Sequence, residues 1–183
     1  MYNRNRILLV TAVVTIVAGT FAFALQGGDK KPASPPAKAE AAIGGNSVVV
    51  NYSAPSMRGR KIYGGLVPYG EVWRTGANAA TTLKTEGDIM IGNAKIPAGT
   101  YTLFTVPAEG GWKLVISKRL TDANGKPAWG AYEYDQSQDV ARVDMQTEKL
   151  SAPVETFTIN IANDKLTMDW ENTRASVDIK PAS

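Results

Sequence analysis

The 183-residue chain contains no cysteine and no histidine. Without cysteine there is no disulfide, no thiol nucleophile and no thiolate metal site. Without histidine there is no imidazole base, no Ser-His-Asp triad and no histidine-based zinc site. Catalysis would fall to carboxylates, lysine, tyrosine, serine or threonine, or to a metal held by oxygen ligands. Most common hydrolase designs are thereby excluded. The residues alone assign no catalytic group, no metal ligand and no cofactor.

A surplus of positive charge is missing as well. The formal net charge is +3, but Arg4 and Arg6 belong to a distinct N-terminal segment, and without them 18 basic side chains stand against 17 acidic ones. Nucleic-acid binding calls for a dense basic face, so nucleic acid is not expected as a partner. Hydrophobic residues at 44% and charged ones at 20% are ordinary for a single globular domain with a sizeable core.

The one long apolar run lies at the N-terminus. The segment 1–6, "MYNRNR", is basic, and 7–25, "ILLVTAVVTIVAGTFAFAL", carries no charge. A basic stretch, an apolar stretch and an A-x-A arrangement at Ala22-Phe23-Ala24 describe a secretory signal peptide with cleavage after Ala24. A retained single-pass anchor competes, because 19 helical residues rise about 28 Å, roughly one hydrocarbon core. On either reading residues 1–25 are a targeting or anchoring element, the membrane is met only through residues 7–25, and the remainder is exported to the periplasm or cell surface. Residues 26–46, "QGGDKKPASPPAKAEAAIGGN", hold little to bury. Their composition predicts a flexible tether of on the order of 25 Å.

From residue 47 to 183 short apolar runs alternate with turn residues. "SVVVNYS", "ATTLKT", "DIMIG", "TYTLFTV" and "WKLVISK" read as strands, with turn chemistry at "GN", "PAG" and "EGG" between them. Phe157, Ile159 and Ile161, then Leu166, Met168 and Trp170, then Ala175, Val177 and Ile179 alternate with polar residues. Such period-two runs mark half-buried antiparallel strands. The pair Asn163-Asp164 reads as a hairpin turn. About nine strands predict an all-β domain, a single antiparallel β-sandwich or a squat barrel, with "TYTLFTV" and "WKLVISK" central.

Three clusters carry candidate chemistry. "SMRGRKIYGG" gathers Arg58, Arg60, Lys61 and Tyr63; guanidinium forks suit carboxylate or phosphate, although the run lacks the order of a nucleotide P-loop. "YGEVWRTGANAATT" offers Trp73, Arg74, Thr75 and Asn78, an apolar platform beside polar groups, and equally the makings of a glycine corner. "AWGAYEYDQSQD" adds Trp129 and Tyr132 beside acids. The carboxylate pairs Glu133/Asp135 and Asp169/Glu171 are only sequence neighbours, a spacing too common to mean acid–base catalysis. "TDANGK" lacks the later ligands of a calcium loop and reads as a turn.

The strings "VNYSAPSMRGRKIYGGLVPYGEVWRTGANAATTLKT", "IPAGTYTLFTVP" and "WGAYEYDQSQDVARV" resemble the bacterial domain-of-unknown-function 2911 family over roughly residues 46–180. The resemblance implies an exported β-domain and supplies no established activity. Similar members often read "GANEAT", whereas this chain has "GANAAT", with Ala79 in place of the glutamate. The sequence thus supports three functions in order: a non-catalytic envelope module binding a carbohydrate or an anionic small molecule, a structural or interaction protein, and a carboxylate-based hydrolase.

Overall fold

The computed structural model describes residues 32–182, so the targeting segment and the first part of the expected tether lie outside the described residues. The described chain is a single antiparallel sheet of nine strands: β1 (Pro36–Ile43), β2 (Asn46–Ser53), β3 (Thr81–Thr85), β4 (Ile89–Ile91), β5 (Ala94–Ile96), β6 (Gly99–Val106), β7 (Trp112–Ser117), β8 (Asp139–Ala162) and β9 (Lys165–Pro181). Their order across the sheet is β1-β2-β3-β6-β7-β8-β9-β4-β5, and its ends stay unpaired, so the squat barrel is not formed. The sheet folds over on itself instead. Tyr52 of β2 meets Phe157 of β8 edge to face at 5.8 Å, and its hydroxyl accepts from the Ile159 amide at 3.0 Å, although β2 and β8 are not ladder neighbours. Val48, Val50, Leu83, Leu103, Leu114 and Ile116 thereby share one core with Phe157, Ile159, Leu166, Met168, Ile89 and Ile179.

The expected tether needs correcting, because its second half is β1. Eight residues pair in register with β2, from Pro36 opposite Ser53 to Ile43 opposite Asn46. Gly44 and Gly45, with φ of 59° and 85°, make the two-residue turn that such a hairpin favours. Composition hid an alternation written in alanine. Ala37, Ala39, Ala41 and Ile43 face inward, while Lys38, Glu40 and Ala42 are exposed. Small side chains suffice where the ladder itself satisfies the backbone.

Two of the expected C-terminal strands are one. The Leu166–Trp170 and Ala175–Ile179 runs both belong to β9, which changes course at Glu171 (φ 52°) where the β8–β9 register shifts. The Asn163-Asp164 hairpin forms as read, with φ of 51° and 56°. Strands β6 and β7 are central and buried on both faces. Phe104 and Val115, opposite each other in the ladder, lie outside the main core. Residues 118–138 cover them: Tyr134 packs edge-on to Phe104 at 5.2 Å, and Thr102 Oγ1 donates to the Arg119 carbonyl.

A chain starting at Ser47 would lose the buried Ile43 and Ala39 and uncover the edge of β2. Its urea midpoint should fall, relative to a chain starting at Pro32, by an amount worth about 3 kcal/mol. Equal midpoints would mean that β1 adds nothing to the fold.

Candidate functional site

The site is built by the excursion between β2 and β3. Leaving β2, Pro55 accepts from the Phe157 amide and the Met57 amide donates to Glu155, which fastens this segment to β8. Arg58 (φ 50°) and Gly59 (φ 72°) then reverse the chain. Arg60 folds back on that turn, its Nε donating to the Met57 carbonyl at 2.9 Å and its Nη2 to the Ser56 carbonyl at 2.7 Å. Of five guanidinium donors, two fix the group in place and three remain for something else.

The chain next returns along β6. Trp73 exchanges both backbone hydrogen bonds with Thr105, at 2.7 and 3.0 Å. Its indole stacks on Trp170 (5.8 Å, 15° between planes) and meets Phe157 (5.1 Å) and Trp112 (6.4 Å) at steep angles. A corner follows at residues 75–78, where Thr75 (φ 55°) and Asn78 (φ 59°) adopt left-handed backbone. Gly76 is obligatory there: a Cβ would stand 2.9 Å from the Ser53 carbonyl oxygen, at a φ of 149°. Thr75 is fully buried and donates to Thr105 Oγ1 at 3.1 Å, while its own carbonyl accepts from Thr81 Oγ1 at 2.7 Å. Those bonds make Thr75 a fastening of the corner; it does not reach the cavity.

These elements enclose a cavity of about 260 Å³. Arg60, Trp73, Arg74 and Asn78 line it together with Leu66 and Trp170, and no acidic residue is among its walls. Among the described residues Arg74 has no carboxylate within ion-pair distance. Its guanidinium lies on the backbone of Gly130, whose absent Cβ would sit 3.1 Å from Nη1. Two cationic forks with spare donors thus open on one apolar-floored hollow.

The other sequence candidates go elsewhere. Arg58 donates to the Ala33 carbonyl at 2.7 Å, and Lys61 is exposed away from the cavity. Tyr63 is buried against Trp112 (4.9 Å) and Trp170 (6.4 Å), on the far side of the aromatic cluster. Trp129 and Tyr132 are 57% and 68% exposed, on the loop that carries Gly130. Glu133 and Asp135 hold that loop: Glu133 pairs with Arg119 at 2.6 Å and Asp135 accepts from Ser137. Asp169 pairs with Arg174 at 2.6 Å, and Glu171 accepts from the Ile62 amide at 3.3 Å. Among the described residues no cluster of three or more acids could hold a metal ion. Sequence reading missed Leu66 and Trp170 as cavity walls, since alternation marks Trp170 only as core.

A family model described as "Protein of unknown function (DUF2911)" matches residues 34–179. The chain belongs to this family. The match begins two residues before β1, so it spans the first hairpin. No curated protein and no solved structure matches the chain. In this DUF2911 chain Ala79 is exposed and bridged to Trp129.

The Tyr63 hydroxyl is buried and has no hydrogen-bond partner among the described residues. Burial pushes its pKa far up, and Glu171, Tyr69 and Asp169 add to the shift. Unfolded tyrosine ionises near about pH 10. Above that pH the unfolded state sheds a proton that the folded state keeps, so stability is whole below about pH 10 and falls as pH rises beyond it. Burial also raises Tyr101 and Tyr134, which contribute to the same fall. Tyr63→Phe should raise stability at neutral pH by about 1 kcal/mol, since it removes an unsatisfied buried group. It should also flatten part of the alkaline decline. Urea midpoints at about pH 7 and pH 11 check both; an unchanged alkaline slope would place the titration elsewhere.

Proposed function

We propose that this chain is a non-catalytic binding module, exported to the cell envelope, that takes a small anionic molecule in the Arg60–Arg74 cavity. One observation carries the reading: two guanidinium groups converge on a hollow that has no acidic wall. Arg60 is exposed and Arg74 half-buried, and both keep spare N–H donors. An anion supplied from outside gains charge-assisted hydrogen bonds from both forks. Trp73 and Leu66 furnish an apolar surface for a ring, backed by the buried Trp170, and Asn78 an amide for one hydroxyl or carbonyl. The volume is below that of a drug-sized pocket and suits one ring with its acid group. Export rests on the pattern of residues 1–25 and on nothing in the fold.

A hydrolase is the second reading. Glu109 and Glu148 both line a separate hollow of about 340 Å³ with Tyr63, Trp112 and Lys149. Two carboxylates in one hollow are what glycoside chemistry requires. Against it, Glu148 leans toward Arg174 at 3.4 Å. Turnover of chromogenic glycosides, lost in both Glu109→Gln and Glu148→Gln, would favour the enzyme.

Thermal shift of the full chain, against sugar acids, ring carboxylates and inorganic phosphate beside their neutral analogues, tests the binding reading. A true ligand at about 100 times its Kd should stabilise by about 2.7 kcal/mol. Its uncharged analogue should not. Arg74→Ala should weaken the hit by about 1.5–3 kcal/mol, the range for hydrogen bonds to a charged group. Arg74→Lys should recover only part, having lost the planar fork. A screen in which no anion shifts the midpoint overturns the proposal.

A further inference from the structure

The loop beside the cavity spends many interactions on holding two side chains in water. Arg119 donates through Nη1 to the Tyr132 carbonyl at 2.6 Å and through Nη2 to Glu133 at 2.6 Å. The Lys118 amide donates to Gln138, and the Ala128 amide to Leu120. The Ala80 amide, next to the cavity corner, donates to the Ala128 carbonyl at 3.0 Å. Tyr134 is clamped between Phe104, Asp139 and Arg142. Its neighbours Trp129 and Tyr132 nevertheless stay mostly exposed.

Their position ties them to the site. Trp129 bridges Ala79, one residue beyond the cavity wall Asn78. A Cβ on Gly130 would stand 3.1 Å from Arg74 Nη1 and 3.5 Å from Tyr132 Cδ2, so the Tyr132 ring and the Arg74 guanidinium flank one point. Leu66, itself exposed, completes an apolar rim from inside the cavity wall. Anchored aromatics of this kind offer large contact area at small entropic cost.

We infer that the site takes an acidic oligosaccharide, with one uronate-type ring in the Arg60–Arg74 cavity and the following rings stacked on Trp129 and Tyr132. This rests on the binding reading above and extends it. A pyranose presents a C–H face to an aromatic ring while its hydroxyls stay in water, which fits platforms that remain exposed. The local backbone argues against a peptide added as a strand. Trp73 is already paired with Thr105, Ala77 with Ser53 and Ala80 with Ala128, leaving no free row of donors and acceptors. The charge balance argues against single-stranded nucleic acid, whose grooves combine stacking with a net basic track.

Calorimetry with the full chain tests it, using mono-, di- and trisaccharides of galacturonate, of mannuronate and of glucuronate, with neutral galactose oligomers and a short oligothymidylate as comparisons. In one acidic series the trisaccharide should bind at least tenfold more tightly than its monomer. Trp129→Ala and Tyr132→Ala should erase that gain and leave monomer affinity alone, while Trp129→Phe keeps part of it. Unchanged melting temperatures keep the loop intact as the reference, and a variant that melts early is replaced by Trp129→Tyr. Monomer binding with no gain in length for any series, or a gain that survives both alanine changes, overturns the oligosaccharide and leaves the anion site standing. Tighter binding of the oligothymidylate also overturns it. Failure of every acid, monomers included, overturns both readings.

Discussion

The stack of Trp73 on Trp170 organises this end of the molecule. One indole arrives from an irregular excursion and the other from β9, and Phe157 and Trp112 box them in. Aromatic pairs at such offsets contribute about 0.5–1.5 kcal/mol each beyond their buried area. The cluster seals the folded sheet on one side and forms an apolar wall of the cavity on the other. Core and site therefore share their residues. Without the Trp73 indole the corner at Thr75–Asn78 would keep its backbone bonds to Thr105 but lose the packing that backs Arg74.

The two arginines are prepared differently. Arg60 is pre-oriented by carbonyls of its own turn, Met57 and Ser56. Arg74 has no acid partner among the described residues and packs by Gly130, where a Cβ would stand 3.1 Å from its Nη1 and crowd it slightly. Elsewhere this chain pairs its charges readily, as Arg119 with Glu133, Arg142 with Asp139 and Arg174 with Asp169 show. Those pairs serve the loop and the strands. Arg58, Arg60 and Arg74 have no carboxylate within ion-pair distance among the described residues, and two of these three line the cavity.

Much of the fold was legible because it is written in period two. Phe157, Ile159 and Ile161, and the Asn163-Asp164 turn after them, are read from sequence and found in place. The first hairpin was not legible, since alanine carries little hydrophobic signal and Pro-Ala-Lys composition resembles a tether. Its clue was Gly44-Gly45 between an alternating run and "NSVVV". The bend at Glu171 left no sequence mark, because a positive φ at glutamate is imposed by register against β8. In the site, Arg60, Trp73, Arg74 and Asn78 were named from residue type and proximity, and they line one hollow. Thr75 was named for the same reasons and serves the backbone instead. Residue type could not separate them, because a hydroxyl that fastens a corner and one that meets a ligand look alike until the burial is known.

The absence of histidine and cysteine gains meaning from this arrangement. The cavity is walled by guanidinium, indole, amide, hydroxyl and aliphatic groups, with no acid among them. A carboxylate at position 79 would add a group of opposite sign next to the corner, and with it a dependence on pH. Ala79 leaves the two arginines without that counterweight. An alanine there supplies no base to the corner and leaves the charge of Arg60 and Arg74 unopposed, the condition on which the proposed capture of an anion rests.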